Sequence, residues 1–139
     1  MLGIRRLAHP ATERLGKCLV EDVGVPRSRL PEMIEAIEAA GREHEVFIAT
    51  VAHAPDGNLH PTFVAPRGSV DIPDRVWATA AEVCRAALDL GGTLTGEHGV
   101  GTLKRRRLEL ALGPVSMAVP RSIKAALDPL GILDPGKAI

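Results

Sequence analysis

An α+β fold, with an antiparallel sheet and helices packed on one face of it, follows from three observations on this sequence. Two segments, Ser28–Gly41 and Pro73–Leu90, carry apolar residues at helical spacing. Between them, Val46–Val51 and Thr62–Ala65 are short apolar runs flanking a Pro-Asp-Gly turn signal, the pattern of a β-hairpin. The elements run roughly α-β-α, then β-β, then α-β, the rhythm of an α+β sandwich.

Taken in order, residues 1–16 predict a helix with apolar Leu2, Ile4, Leu7, Ala8, Ala11 and Leu15, interrupted by Pro10 and ended by Gly16. Lys17–Pro26 reads as one strand closing at a proline. In Ser28–Gly41, Pro31 fits the first turn, Leu30, Met33, Ile34 and Ile37 share a face, and Gly41 suits the position just past the end. Pro73–Leu90 places Val76, Trp77, Ala80, Val83, Ala87 and Leu90 on a stripe and stops at Gly91-Gly92, with Trp77 in the core. A short β-like run, Thr93–Thr95, follows. Leu103–Arg107 is a basic run, read as a solvated helix start or as a patch for phosphate or an anionic acid. Leu108–Ala111 and Arg121–Leu127 read as helices separated by Gly113-Pro114 and Pro120, and 128–136 as an irregular ordered tail.

Composition narrows the function classes. With 139 residues, 45% apolar and 24% charged, the chain can bury a core as one domain. Seventeen basic and seventeen acidic residues cancel, so no long-range field favours nucleic acid or an anionic membrane. One Trp, two Phe and no Tyr leave few platforms for base stacking. No run approaches the roughly 18 apolar residues of a membrane span, and nothing reads as a signal peptide, which makes a cytoplasmic location the expectation. Cys18 and Cys84 stand outside any metal or redox spacing and are expected to be reduced.

The chemistry concentrates in two places. With Asp56-Gly57 as the central turn residues, cross-strand partners sum to 113 and His53 faces His60, their Cβ atoms about 5 Å apart on one face. Pro55 has no N–H to give beside that turn, which leaves room for a wider loop. The second place is Gly96-Glu97-His98-Gly99-Val100-Gly101, where flanking glycines let neighbours 97 and 98 avoid opposite faces. His53, His60 and Glu97 make a three-ligand set with an open position, the pattern of a catalytic divalent site, leaving His98 for substrate. Thr62, two residues beyond His60, shares its strand face and is a candidate substrate contact. Asn58 is a turn residue first and a substrate contact second; Asp56 is a turn residue before it is a ligand. His9 and His44, with no ligand neighbours in sequence, read as surface residues.

Ala-His-Ala-Pro-Asp-Gly-Asn-Leu-His-Pro at 52–61, Gly-Gly-Thr-Leu-Thr-Gly-Glu-His-Gly-Val-Gly at 91–101 and Leu-Asp-Pro-Leu-Gly-Ile-Leu-Asp-Pro-Gly-Lys at 127–137, with Glu-Asp-Val-Gly-Val-Pro-Arg-Ser at 21–28, resemble the C-terminal domain of the flavin-linked D-2-hydroxy-acid dehydrogenases. That family includes D-lactate dehydrogenases, the FAD subunit of glycolate oxidase and D-2-hydroxyglutarate dehydrogenase. The resemblance implies a ferredoxin-like α+β domain, incomplete here, with the FAD-binding domain lying N-terminal to residues 1–139. It implies His53, His60 and Glu97 as ligands of a divalent metal, most plausibly zinc, His98 as the base for the substrate hydroxyl, and Arg5 as the grip on the substrate carboxylate. Asp134 and Lys137 fall in the motif that contacts FAD. Three departures stand out: Pro55 where the family has Gly, Asp134 where it has Asn, and Leu2 where it has Trp.

The function so implied is the substrate- and metal-binding part of an enzyme that oxidises a small D-2-hydroxy acid, of the D-lactate or glycolate type, to its 2-oxo acid. The chain is then expected to be inactive alone and to need a separate flavin-binding chain or domain. Two alternatives stay open: a truncated, non-catalytic metal- or acid-binding module, and a metal hydrolase built on the same three ligands, which lacks an evident second acid.

Overall fold

The computed structural model describes residues 2–137, with side chains at 7–109 and 111–137. It forms two compact units, the first ending at Gly96 and the second beginning at Glu97.

The first unit contains α1 (Leu2–Glu13), β1 (Cys18–Val20), β2 (Val23–Gly24), α2 (Leu30–Glu43, preceded by a 3-10 turn at Arg27–Arg29), β3 (Phe47–His53), β4 (Asn58–Val64) and α3 (Asp74–Asp89). The sheet is antiparallel throughout, with β4 central, β3 on one side and β1 and β2 on the other. An isolated antiparallel bridge from Thr93 to Gly24 adds the beginning of a further strand beside β2. The α+β reading therefore holds, in the order α-β-β-α-β-β-α with a last bridge.

The single strand expected over Lys17–Pro26 is interrupted. Partner numbers sum to 82 along both β1 and β2, so the two are one strand in one register. Hydrogen bonds from Ala65 N–H to the Lys17 carbonyl (2.8 Å) and from Val25 N–H to the Gly57 carbonyl (2.9 Å) extend that register at both ends. The break falls at Glu21-Asp22. Glu21 donates its N–H to the Pro61 carbonyl at 3.0 Å, and Pro61 has no N–H to return. The cause of the interruption thus sits on the facing strand.

The hairpin is also wider than a two-residue turn. Partners across β3 and β4 sum to 111, so His53 faces Asn58 and His60 faces Val51, and the expected His53–His60 opposition is shifted by two residues. Asp56 and Gly57 both donate their N–H to the His53 carbonyl at 3.1 Å, leaving a four-residue tip, 54–57, with Gly57 at φ 82°. The strands run longer than Val46–Val51 and Thr62–Ala65 because this tip is compact and because Pro61, opposite Thr50, is absorbed into β4.

One face of the sheet presents Leu19, Val23, Leu59 and Phe63, all buried, to the helices. Helix α2 packs on β3, α3 packs on β2 and β4, and the two helices pack on each other. Met33, Ile37, Val76, Ala80 and Val83 are among the buried positions they contribute. Trp77 is half-buried rather than central. Gly41 lies inside α2, where a Cβ would stand 3.0 Å from the Val46 carbonyl; the helix ends instead at His44, followed by Glu45 at φ 52°. His44 is not a bare surface residue, since its Nε2 lies 2.8 Å from Glu82 on α3.

The second unit holds α4 (Arg105–Leu127), bent at Gly113, whose φ of 70° and ψ of 171° are non-helical. Pro120, expected to separate two helices, lies within the second segment; the break needs a positive φ, which Gly113 takes and Pro120 cannot. Arg121 pairs with Glu109 across the bend. Lys104 is buried, so the basic run is not wholly solvated, and Arg105 donates to the Gly136 carbonyl at 3.1 Å. Asp128 organises the tail: it pairs with Lys124 and accepts the N–H groups of Ile132 (2.9 Å) and Leu133 (3.0 Å). The Lys124 hydrogen bond, reinforced by those two amides, holds the Asp128 carboxyl below the usual carboxylate range.

Candidate metal centre

The sheet face opposite the helices carries the polar residues singled out in the sequence. In register, His53 and Asn58 are partners, His60 lies diagonally from His53, and Thr62 follows two residues on. The His53 and His60 rings are 5.1 Å apart between centroids, with planes at 83°. A ligating nitrogen on each lies within 4.8 Å of the other's. Two imidazoles on adjacent strands are donors of the kind a divalent ion takes.

Asn58 and Thr62 are each 8% exposed. A Cβ on Gly96 would come within 2.3–2.7 Å of the three end atoms of the Asn58 amide, so glycine is what lets the 93–96 segment lie against that side chain. The segment is held from below. Asp22, fully buried, accepts the Thr95 hydroxyl at 2.8 Å and the Gly96 N–H at 2.9 Å on Oδ2. Its Oδ1 stands 3.7 Å from Nδ1 of His60. The register explains the meeting, because Asp22 continues the series whose partners sum to 82 and so falls opposite His60, next to the hydrogen-bonded pair Glu21–Pro61.

Sequence reasoning missed Asp22. The signal was present: two adjacent acids, Glu21-Asp22, inside an otherwise apolar strand. Carboxylates there must be buried or break the strand, and buried ones need partners.

Glu97 and His98 open the second unit. Their side chains lie 3.9 Å apart and are about half exposed. The glycine-bracketed loop therefore lets consecutive side chains converge, with Gly99 at φ 77° and Gly101 at φ 53° supplying the turns. Asp134, at φ 44°, and Lys137 are exposed and 3.3 Å apart. Arg5 falls on α1, and its side chain lies outside the described residues. Among the described residues no helix is long and apolar enough to cross a membrane.

Comparison with known proteins adds the family. The model of the FAD linked oxidases, C-terminal domain, matches residues 1–138. The chain is 42% identical over 134 residues to the glycolate oxidase subunit GlcD of Bacillus subtilis, covering 96% of this chain and 28% of that protein. It is 37% identical over 123 residues to a probable mitochondrial D-lactate dehydrogenase of Danio rerio, covering 88% and 25%, and 30% identical over 138 residues to GlcD of Escherichia coli, covering 97% and 27%. The chain spans about a quarter of the length of these curated relatives. By this match over nearly its whole length, the chain belongs to the FAD linked oxidases, as their C-terminal domain.

Proposed function

We propose that this chain is the substrate- and metal-binding part of a flavoenzyme that oxidises a small D-2-hydroxy acid, of the glycolate or D-lactate type, to the 2-oxo acid. The observation that carries the reading is the pair His53 and His60, side by side on one sheet face in a chain of the FAD linked oxidase family. The names of the relatives support the substrate class.

The donor set fits a divalent ion, zinc by its imidazoles and carboxylate. His53 and His60 supply two nitrogens. Glu97 supplies the third donor, and the chain delivers it one peptide bond beyond Gly96, whose amide is fixed on Asp22. When bound, the ion supplies positive charge that polarises the substrate hydroxyl, and the flavin supplies the two-electron acceptor. His98 takes the hydroxyl proton on a ring nitrogen. Thr62 and Asn58, on the face that carries the histidines, orient the substrate oxygens, and Arg5 binds its carboxylate. Asp134 and Lys137, exposed and able to accept and donate hydrogen bonds, are this chain's own contacts to FAD. The flavin-binding part is a separate domain or chain, and residues 1–139 alone do not turn over.

Paired variants test the assignment. Zinc calorimetry on the chain should show one site, lost in His60→Ala. In a complex restored with a flavin-binding partner, His98→Ala should lower turnover by about two to four orders of magnitude with metal content unchanged. Glu97→Gln should lose metal and turnover together. Loss of metal in His98→Ala would make His98 a ligand and leave the base unassigned.

A further inference from the structure

The residue that organises the metal face lies outside the two clusters that suggested the metal ligands, in the stretch at 21–28. Asp22 is fully buried at the interruption between β1 and β2. It stands opposite His60 in register and divides its two oxygens between two tasks. Oδ2 accepts the Thr95 hydroxyl and the Gly96 amide; Oδ1 faces Nδ1 of His60 at 3.7 Å. The Nδ1 atom is itself buried on that side, so Nε2 is the nitrogen left to a ligand. A carboxylate beside one imidazole nitrogen fixes the tautomer and raises the donor strength of the other.

We propose that Asp22 is the positioning residue of this site: one oxygen holds the His60 ring in the Nδ1–H tautomer, with Nε2 presented to the metal, and the other fixes the backbone from which Glu97 follows. The inference rests on the metal reading above and deepens it.

Asp22→Asn separates the two tasks. The amide oxygen can still accept from Thr95 and Gly96, while the amide nitrogen is a donor and cannot accept the His60 Nδ1 proton. Thr95→Val is the complement: it removes one loop contact and leaves the carboxylate facing His60. Three measurements on the full chain are needed: zinc affinity by calorimetry, the His60 tautomer by long-range nitrogen–proton correlation, and the visible spectrum of the cobalt-loaded protein.

In the wild-type chain the His60 proton should sit on Nδ1. Asp22→Asn should move it to Nε2, weaken zinc binding by about 10- to 100-fold, and alter the cobalt bands while circular dichroism remains that of the folded chain. Thr95→Val should keep the tautomer and lose less affinity. Wild-type zinc affinity and tautomer in Asp22→Asn would overturn the role of Asp22, as would a Thr95→Val loss equal to that of Asp22→Asn. Should Asp22→Asn fail to fold, the wild-type tautomer still decides, since a proton on Nε2 overturns the proposal. A wild-type chain that takes up no zinc overturns the metal reading and this inference with it, whereas zinc bound with Nδ1 unprotonated overturns the role of Asp22 alone.

Discussion

The hairpin tip offers a controlled measurement, because two glycines with the same backbone have opposite surroundings. Gly57 (φ 82°) and Gly68 (φ 87°) both adopt a conformation that L side chains rarely take. A Cβ at Gly68 meets nothing within 4 Å, whereas at Gly57 it would stand 2.1 Å from the Val25 carbonyl oxygen and 3.3 Å from its carbon. Gly68→Ala therefore carries the conformational cost alone, about 1–2 kcal/mol. Gly57→Ala adds an overlap with backbone, about 1–3 kcal/mol for overpacking. It also weakens the Val25 N–H to Gly57 carbonyl hydrogen bond, about 1 kcal/mol more. The sum is roughly 3–6 kcal/mol, a large share of the 5–15 kcal/mol typical of a domain. Urea titration followed by the fluorescence of Trp77, on α3 in the same unit, measures both variants. If the two differ by less than about 0.5 kcal/mol, the tip does not rest on Val25, and the register that sets His53 beside His60 loses its anchor.

Other outcomes follow from contacts already described. Phe63→Ala empties the centre of the helix-covered face and should cost about 3–5 kcal/mol in the same titration. Gly96→Ala drives a methyl into the Asn58 amide and should weaken zinc binding more than it lowers the melting temperature, read by calorimetry and thermal denaturation. Asp128 has a lowered carboxyl pKa, so its stabilisation is complete above the unfolded value near about 4 and is lost as pH falls through the lower native value. The stability difference between wild type and Asp128→Asn should accordingly shrink towards zero in acid. Amide exchange at Ile132 and Leu133, which donate to Asp128, follows that loss.

Much of this was legible in sequence wherever a local pattern decides the outcome. The stripes of α2 and α3 and the glycine stop at Gly91 all come from periodicity and single-residue conformational preference. The shared face of His53 and His60 survived an error of two in register, because side chains alternate with period two and a shift of two preserves the face. What escaped depends on residues distant in the chain. Pro61 interrupts a strand forty residues away, and Asp22 acquires its meaning only when β4 lies beside it. Local reading weighs a residue against its sequence neighbours, and these two are defined by neighbours across the sheet.

The four-residue tip between His53 and Asn58 also works as a counter. It fixes the pairing register of β3: each residue by which that register slips exchanges the two faces of β3, while β4, gripped from its other side by β1 and β2, stays in place. A slip of one would turn His53 towards the helices and bring an alanine, Ala52 or Ala54, to the polar face; a slip of two would bring the imidazole back to it. What the tip must keep is therefore the register, together with the glycine that rests on Val25. The tip's own hydrogen bonds are given by the N–H groups of Asp56 and Gly57, which is how the chain can carry proline at 55 and keep its histidines side by side.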